Sequence, residues 1–268
     1  MASYLDELPG KYRLILCDIW GVVHDGVALY PGAADRLHQW RGEGRTVVLL
    51  TNAPRTAEAV EAQLQRIGLA PDAWDHVATS GEAGIAALLA IGAPVGFLGT
   101  RSDRAILEGK SVPIAGDDSF RHLACTGLDD ARTKVEDYRA DLEALADRDV
   151  IMHCLNPDRV VVRGGVTEAC AGALADVYSG LGGQVEWYGK PYPTVYRYVL
   201  GLAGNPPADE VLAVGDGLQT DVLGAARMGF DTVFVSGGIH AGEPFPDNYA
   251  AQYGLGNWAP VAVVESLD

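Results

Sequence analysis

Short apolar runs that end abruptly in polar residues recur along this chain. The first run, Leu14-Ile15-Leu16-Cys17, stops at Asp18. A second run ends in Thr51-Asn52, and a third, Val211–Val214, ends in Gly215-Asp216. Apolar runs of this length, bounded by turn residues, are typical of buried strands. The pattern therefore predicts strands that carry polar residues at their carboxyl ends.

The segments between these strands predict helices. Pro31 opens the first helix, and the glycines on either side of Glu43 end it. The helices predicted around the strands are Pro31–Glu43, Arg55–Ile67, Glu82–Ala90, Tyr192–Leu202 and Gln219–Met228. Further strands are predicted at His76–Ser80, Thr232–Val235 and Val261–Val264. Alternation of strand and helix favours an α/β fold, with a parallel sheet wrapped by helices.

The middle of the chain is less regular and predicts a second α/β unit inserted into the first. Its predicted strands are Pro94–Leu98, Arg121–Thr126, Val150–Cys154 and Arg159–Arg163, and its predicted helices are Thr133–Ala146 and Thr167–Leu181. We therefore expect a core domain made of residues 1–81 and 186–268, and an inserted domain at residues 82–185.

The charge balance narrows the classes of partner. Twenty basic residues stand against 36 acidic ones, which gives a formal net charge of −16. Such a surface repels nucleic acid and anionic membranes, so we expect neither as a partner. The sequence shows no long apolar span, no signal-peptide pattern and no C-x-x-C spacing among its four cysteines. These features predict a cytoplasmic protein without a disulfide framework.

The polar strand ends identify the candidate chemistry. The carboxyl ends of parallel strands meet at one edge of a sheet, so Asp18, Thr51, Asn52 and Asp216 should lie close together there. Lys190 stands in a predicted loop, between a glycine and a proline, and is one of only four lysines. Each of these residues alone is as easily explained as a turn or a surface position, and the set as a whole is what points to a site.

The motifs and their order resemble the haloacid dehalogenase superfamily of aspartate-nucleophile hydrolases. The matching segments are Asp18-Ile19-Trp20-Gly21-Val22, Leu50-Thr51-Asn52, Thr79-Ser80-Gly81-Glu82, Gly189-Lys190-Pro191 and Val214-Gly215-Asp216-Gly217-Leu218-Gln219-Thr220-Asp221. The chain is most similar to the class with a large α/β cap, which includes nitrophenyl, sugar, pyridoxal phosphate and phosphoglycolate phosphatases. The resemblance implies a Rossmann-like core with an inserted cap domain.

The resemblance also implies a magnesium-dependent phosphohydrolase. Asp18 is the expected nucleophile, and its attack on phosphorus would form an aspartyl-phosphate. The expected magnesium ligands are an Asp18 oxygen, the backbone carbonyl of Trp20, and Asp216, with Asp221 in or near that shell. Magnesium suits such a set because it prefers oxygen ligands.

Three further residues are expected to hold the phosphoryl group. Lys190 would neutralise the contact between the nucleophile and phosphate, which are both anions. The hydroxyl of Thr51 and the backbone amides near Asn52 would bind the phosphoryl oxygens. Catalysis of this kind rests on positioning and on charge stabilisation.

Trp20 departs from the family pattern and leaves three functions open. Phosphatases of the superfamily carry a second aspartate at this position, where it protonates the leaving group and then activates water. The alternatives are a weak phosphohydrolase restricted to good leaving groups, a non-catalytic protein that binds a phosphate ligand, and a metal-independent C–halogen hydrolase. His24, four residues later, is either a substitute acid or an ordinary loop residue beside a turn.

The predicted cap offers one polar cluster for substrate selection. It consists of Asn156, Pro157, Asp158 and Arg159, with Arg163 beyond it. The same residues are also typical of an ordinary turn. The resemblance to the class with a large α/β cap implies that such a loop lies near the active site, where either arginine could pair with an anionic group. We expect a small phosphorylated metabolite as substrate, and the resemblance implies a homodimer.

Overall fold

The computed structural model describes residues 4–163, 166–238 and 244–268, and the chain divides into two units. The core unit comprises Met1–Thr51, Ala57–Ala78 and Lys190–Asp268, and the inserted unit comprises Asn52–Thr56 and Thr79–Gly189. The inserted unit thus extends beyond the predicted residues 82–185, since it also includes residues 52–56, 79–81 and 186–189. Within the described ranges, no helix has both the length and the apolar character needed to cross a bilayer.

Strands and helices alternate along most of the chain. The strands are β1 (Leu14–Asp18), β2 (Thr46–Thr51), β3 (His76–Thr79), β4 (Gly96–Leu98), β5 (His122–Cys125), β6 (Ile151–Cys154), β7 (Val160–Arg163), β8 (Val166–Ala169), β9 (Val185–Trp187), β10 (Val211–Gly215), β11 (Asp231–Val235) and β12 (Ala262–Val264). The helices are α1 (Ala33–Gly42), α2 (Ala57–Ile67), α3 (Ser80–Ile91), α4 (Arg101–Gly109), α5 (Arg139–Ala146), α6 (Ala171–Gly180), α7 (Pro193–Leu202), α8 (Leu223–Met228) and α9 (Tyr249–Tyr253).

The sheet of the core unit has the strand order β12-β11-β10-β1-β2-β3. β1 pairs in parallel with both β10 and β2, and β11 pairs in parallel with β10 and β12. Every residue of β1 and β10 is buried, which explains why both strands read as continuous apolar runs. The predicted α/β fold with a parallel-sheet core is confirmed.

The inserted unit contains its own parallel sheet, in the order β4-β5-β6-β9. Its buried core includes Tyr138, Leu142, Met152, Leu174 and Tyr178, contributed by strands and by the helices that pack on them. β7 and β8 form a separate two-stranded antiparallel sheet.

Several element predictions for the middle of the chain were wrong. The predicted helix over Thr167–Leu181 begins only at Ala171, because β8 pairs with β7 instead. The predicted helix over Thr133–Ala146 starts as a 3-10 turn at Val135–Tyr138, and α5 follows it. Helix α4 and strand β9 were not predicted at all.

Candidate active site

The polar strand ends of the core unit meet around Asp18. In the register of the sheet, Asp18 is paired with Leu50 of β2, so Thr51 lies one residue further along the neighbouring strand. On the other side, β10 ends at Gly215 and Asp216 follows it. The side chains of Asp18 and Asp216 are both buried. The fold therefore brings these residues to the same edge of the sheet, as parallel pairing requires.

Lys190 joins this edge from the start of the segment that leads into α7. Its Nζ atom donates to Asp18 Oδ1 at 2.5 Å, to Asp221 Oδ1 at 2.7 Å and to the backbone carbonyl of Leu50 at 3.2 Å. Burial alone would lower the pKa of Lys190, but the two carboxylates raise it above its ordinary value. The ammonium therefore stays charged, and it directs its positive charge at the expected nucleophile.

Asp221 is held by its own loop. It lies in a π-helical turn, Leu218–Val222, which precedes α8. Its Oδ2 atom accepts from the backbone N–H of Gly217 at 3.2 Å and from the hydroxyl of Thr220 at 3.1 Å. Local π-helical geometry is frequent at functional sites. In this turn, Oδ2 of Asp221 is held by the local hydrogen bonds, and Oδ1 accepts the hydrogen bond from Lys190.

Two glycines make room for the carboxylate of Asp216. A Cβ atom at Gly21 or at Gly238 would overlap its oxygens, so no other residue type fits at either position without a shift. Gly21 also has a φ of 85°, a left-handed conformation that favours glycine. Gly21 belongs to the Asp18–Val22 segment that matches the family, whereas the sequence pattern did not point to Gly238. The glycine pair that follows β11 was the available signal.

The acidic cluster fits a divalent cation. One carboxylate oxygen from each of Asp18, Asp216 and Asp221 lies within 4.8 Å of the others, and all three residues are buried. Lys190 offsets one of these three negative charges, and a divalent cation has the charge to offset the other two. Burial and the Asp221 carboxylate raise the pKa of Asp18 well above its usual range, although Lys190 opposes the shift. A bound cation would favour the ionised form of Asp18, and an all-oxygen set suits magnesium.

Asn52 is hydrogen-bonded within the inserted unit. Its Nδ2 atom donates to Asp158 Oδ1 at 2.9 Å, and its backbone carbonyl accepts from the hydroxyl of Ser80 at 2.7 Å. Gly189 packs so closely that a Cβ atom there would overlap Asn52 and Pro157. Asn52 is thus in direct contact with the Thr79–Glu82 segment, with Gly189 and with the Asn156–Asp158 loop.

The cap residues predicted to select the substrate have structural partners. Asn156 Oδ1 accepts from the backbone N–H of Asp158 at 3.2 Å, which makes the loop an Asx-type turn. The guanidinium of Arg159 binds both oxygens of Asp176 at 2.9 Å and donates to the carbonyl of Pro157 at 2.9 Å. The side chain of Arg163 lies outside the described residues. A role for Asn156, Asp158, Arg159 or Arg163 in substrate selection stays a prediction.

Trp20 and His24 occupy the loop that follows β1. The side chain of Trp20 is exposed, whereas His24 is buried. The Nδ1 atom of His24 accepts the backbone N–H of Gly26 at 2.8 Å, and burial lowers the pKa of His24. A neutral imidazole with one nitrogen committed to the backbone is poorly suited to donate a proton. This arrangement supports a structural role for His24.

Comparison with known proteins decides the family. A model described as haloacid dehalogenase-like hydrolase matches residues 15–113, and a second, described as HAD-hydrolase-like, matches residues 187–268. A solved hydrolase of the haloacid dehalogenase-like family from Brucella suis 1330 is 35% identical, with a TM-score of 0.81 and full coverage of both chains. The chain belongs to the haloacid dehalogenase-like hydrolase family. The family predicted from the motifs is confirmed.

Other known proteins match along most of their length. The ribonucleotide monophosphatase NagD of Escherichia coli is 27% identical, with 84% of this chain and 88% of NagD covered. Human chronophin is 26% identical, with 98% of this chain and 93% of chronophin covered. A p-nitrophenyl phosphatase from Archaeoglobus fulgidus shares the fold, with a TM-score of 0.77 at 21% identity and coverage of 96% and 97%. The predicted enzyme class, a hydrolase of this family, is therefore supported by relatives that are named as phosphatases.

Proposed function

We propose that this haloacid dehalogenase-like hydrolase is a magnesium-dependent phosphatase that acts on a small phosphate monoester through phospho-Asp18. The observation that carries the proposal is the bond between Lys190 and Asp18, set beside Asp216 and Asp221. A buried carboxylate bound to a buried ammonium can approach a phosphate dianion without two negative charges meeting uncompensated. The name of one relative, the ribonucleotide monophosphatase NagD, agrees with this assignment.

The chain's own residues account for most of the reaction. Asp18 attacks phosphorus, so a bond forms between its carboxylate and the phosphoryl group while the bond to the leaving oxygen breaks. Lys190 stabilises the negative charge at that contact, and Thr51 and Asn52 bind the phosphoryl oxygens. Water then attacks phosphorus and the bond between phosphorus and the Asp18 oxygen breaks. Phosphate leaves with both protons of the water, and the Asp18 carboxylate is restored. Magnesium, held by Asp18, Asp216 and the Trp20 carbonyl, with Asp221 in or near its shell, would supply further charge neutralisation.

Trp20 sets the scope of this activity. An indole cannot protonate a leaving oxygen, and a positioned acid contributes about 10²–10⁴-fold in rate. We therefore expect turnover of esters whose leaving groups are weak bases, and slow turnover of alkyl phosphates. The same residue keeps a second function open, a protein that binds a phosphate ligand without hydrolysing it. A metal-independent C–halogen hydrolase is disfavoured, because the three-carboxylate cluster suits a cation.

Hydrolysis of 4-nitrophenyl phosphate with millimolar magnesium tests the proposal. Asp18→Asn should reduce turnover to less than about a tenth while the fold persists. Asp25→Asn is the matched control, because it makes the same chemical change at an exposed position in the following loop. Binding of inorganic phosphate without any turnover would favour the non-catalytic alternative. Turnover that is unchanged when a chelator is added would contradict the metal site.

A further inference from the structure

Trp20 is the most exposed aromatic residue in the part of the chain that the structure describes. It is 49% exposed, and every other described aromatic residue is buried or half-buried. Leaving half of an indole in water forgoes a large share of the free energy that burial of this side chain would provide. The exposure of the Trp20 indole therefore favours a role in binding over a role in stabilising the fold.

The loop around Trp20 fixes the position of the indole. The ring meets the His24 ring edge to face, with centroids 5.5 Å apart and an interplanar angle of 78°. Gly26 lies against the six-membered part of the indole so closely that a Cβ atom there would overlap it. His24 is itself fixed, because it is buried and accepts the Gly26 N–H. The exposed indole is therefore a preorganised surface.

The position of Trp20 in the chain places this surface beside the reacting group. It lies two residues after Asp18, so the two Cα atoms are at most about 7.6 Å apart. An exposed indole this close to the nucleophile can reach the alcohol portion of an ester whose phosphoryl group is bound at Asp18.

We propose that Trp20 is a specificity-determining residue that stacks on a planar aromatic leaving group, and that the substrate class is an aryl phosphate, the ester of a phenolic hydroxyl. The proposal rests on the phosphatase site described above, because it takes the phosphoryl group to be bound at Asp18. Two properties of Trp20 favour aryl phosphates as the substrate class. An indole stacks on aromatic rings, and a phenolate is a weak enough base to leave without the proton that Trp20 cannot supply.

The test compares binding of phenyl phosphate and cyclohexyl phosphate to the Asp18→Asn protein in the presence of magnesium. The two esters carry the same phosphoryl group and rings of similar size, but only the phenyl ring is planar and aromatic. Cyclohexyl is at least as apolar, so a preference for phenyl reports stacking. We expect phenyl phosphate to bind about 10-fold more tightly by calorimetry.

Variants at Trp20 assign the preference to the indole. Adding Trp20→Leu should remove the preference, and adding Trp20→Phe should retain most of it. Val27→Ser is the matched control, since Val27 is an apolar residue of the same loop that is 85% exposed. Equal binding of the two esters, no binding of either, a preference that survives Trp20→Leu, or an equal loss in Val27→Ser would each overturn the proposal.

Turnover by the wild-type protein separates this inference from the proposed function. The wild type could hydrolyse aryl phosphates while Trp20→Leu has no effect on the preference for phenyl phosphate. That result would support the phosphatase activity and overturn the stacking role of Trp20. A phenyl preference that depends on Trp20 in a protein that hydrolyses no ester would support stacking and overturn the phosphatase.

Discussion

Acidification should destabilise the inserted unit through one buried histidine. His153 lies on β6, where its Nδ1 atom is 2.9 Å from the hydroxyl of Tyr188 and its Nε2 atom is 2.9 Å from Nδ1 of His122. The rings of His153 and Tyr188 stack with an interplanar angle of 16°. Burial, with a smaller effect of His122, lowers the pKa of His153 from 6.5 to about 4. The folded protein therefore keeps His153 neutral at pH values where the unfolded chain binds a proton.

The sign and size of the effect follow from this difference. Because the folded pKa is the lower one, stability is full above about pH 6.5, falls as the pH decreases, and levels off below about pH 4. A shift of about 2.5 pKa units corresponds to about 3 kcal/mol in total. Between about pH 7.5 and about pH 5 the loss from His153 alone should be about 2 kcal/mol.

Urea unfolding followed by circular dichroism at these two pH values measures the effect. The wild type should lose about 2 kcal/mol more than His153→Gln on acidification, since glutamine does not titrate. His38→Gln is the control for losing an imidazole, because the hydrogen bond of His38 to Asp72 raises its pKa and gives the opposite sign. Equal losses of stability in wild type and His153→Gln between the two pH values would refute the assigned role of His153.

Three other predictions concern the metal site and the leaving group. Millimolar magnesium should raise the melting temperature, because it binds only the folded state, and Asp216→Asn should abolish the increase; an unchanged wild-type melting curve would count against the site. Gly238→Ala should weaken magnesium binding by about 10- to 100-fold in calorimetry, because its Cβ would displace the Asp216 carboxylate, whereas Gly42→Ala, where the space is open, should not. Trp20→Asp should raise alkyl-phosphate turnover by up to about 10²-fold. A folded variant with unchanged turnover would show that the missing acid does not limit the rate.

The core strands and the site were predictable because both depend on local patterns. β1 and β10 are buried on both faces, so their sequences are uninterrupted apolar runs, and Asp18 and Asp216 mark where those runs stop. Parallel pairing then brings the strand ends together, with no further information needed. Lys190 was found by its motif, but its bonds to Asp18 and Asp221 span long sequence separations that no local pattern encodes.

The inserted unit was harder to predict because its elements are short and depend on tertiary partners. The pattern over Thr167–Ala169 predicts the start of a helix, but these residues belong to β8, which pairs with β7. β9 has only three residues, too few for a clear period. Helix α4 did have a local signal, since the Thr100 hydroxyl accepts the Asp103 N–H at 3.2 Å and caps the helix. The hydrogen bond between Asp158 and Asn52 joins residues that are far apart in the sequence, so no local pattern predicts it.

The central claim is that Asp18 carries the phosphoryl group during turnover, and chemical trapping tests it most directly. The protein would be mixed with excess 4-nitrophenyl phosphate and magnesium, quenched during turnover, reduced with borohydride and digested for mass spectrometry. Borohydride reduces an acyl phosphate but leaves a free carboxylate intact. The account predicts reduction at Asp18, dependent on substrate, and none at Asp25. Turnover with an unmodified Asp18, or with the modification at another residue, would contradict it.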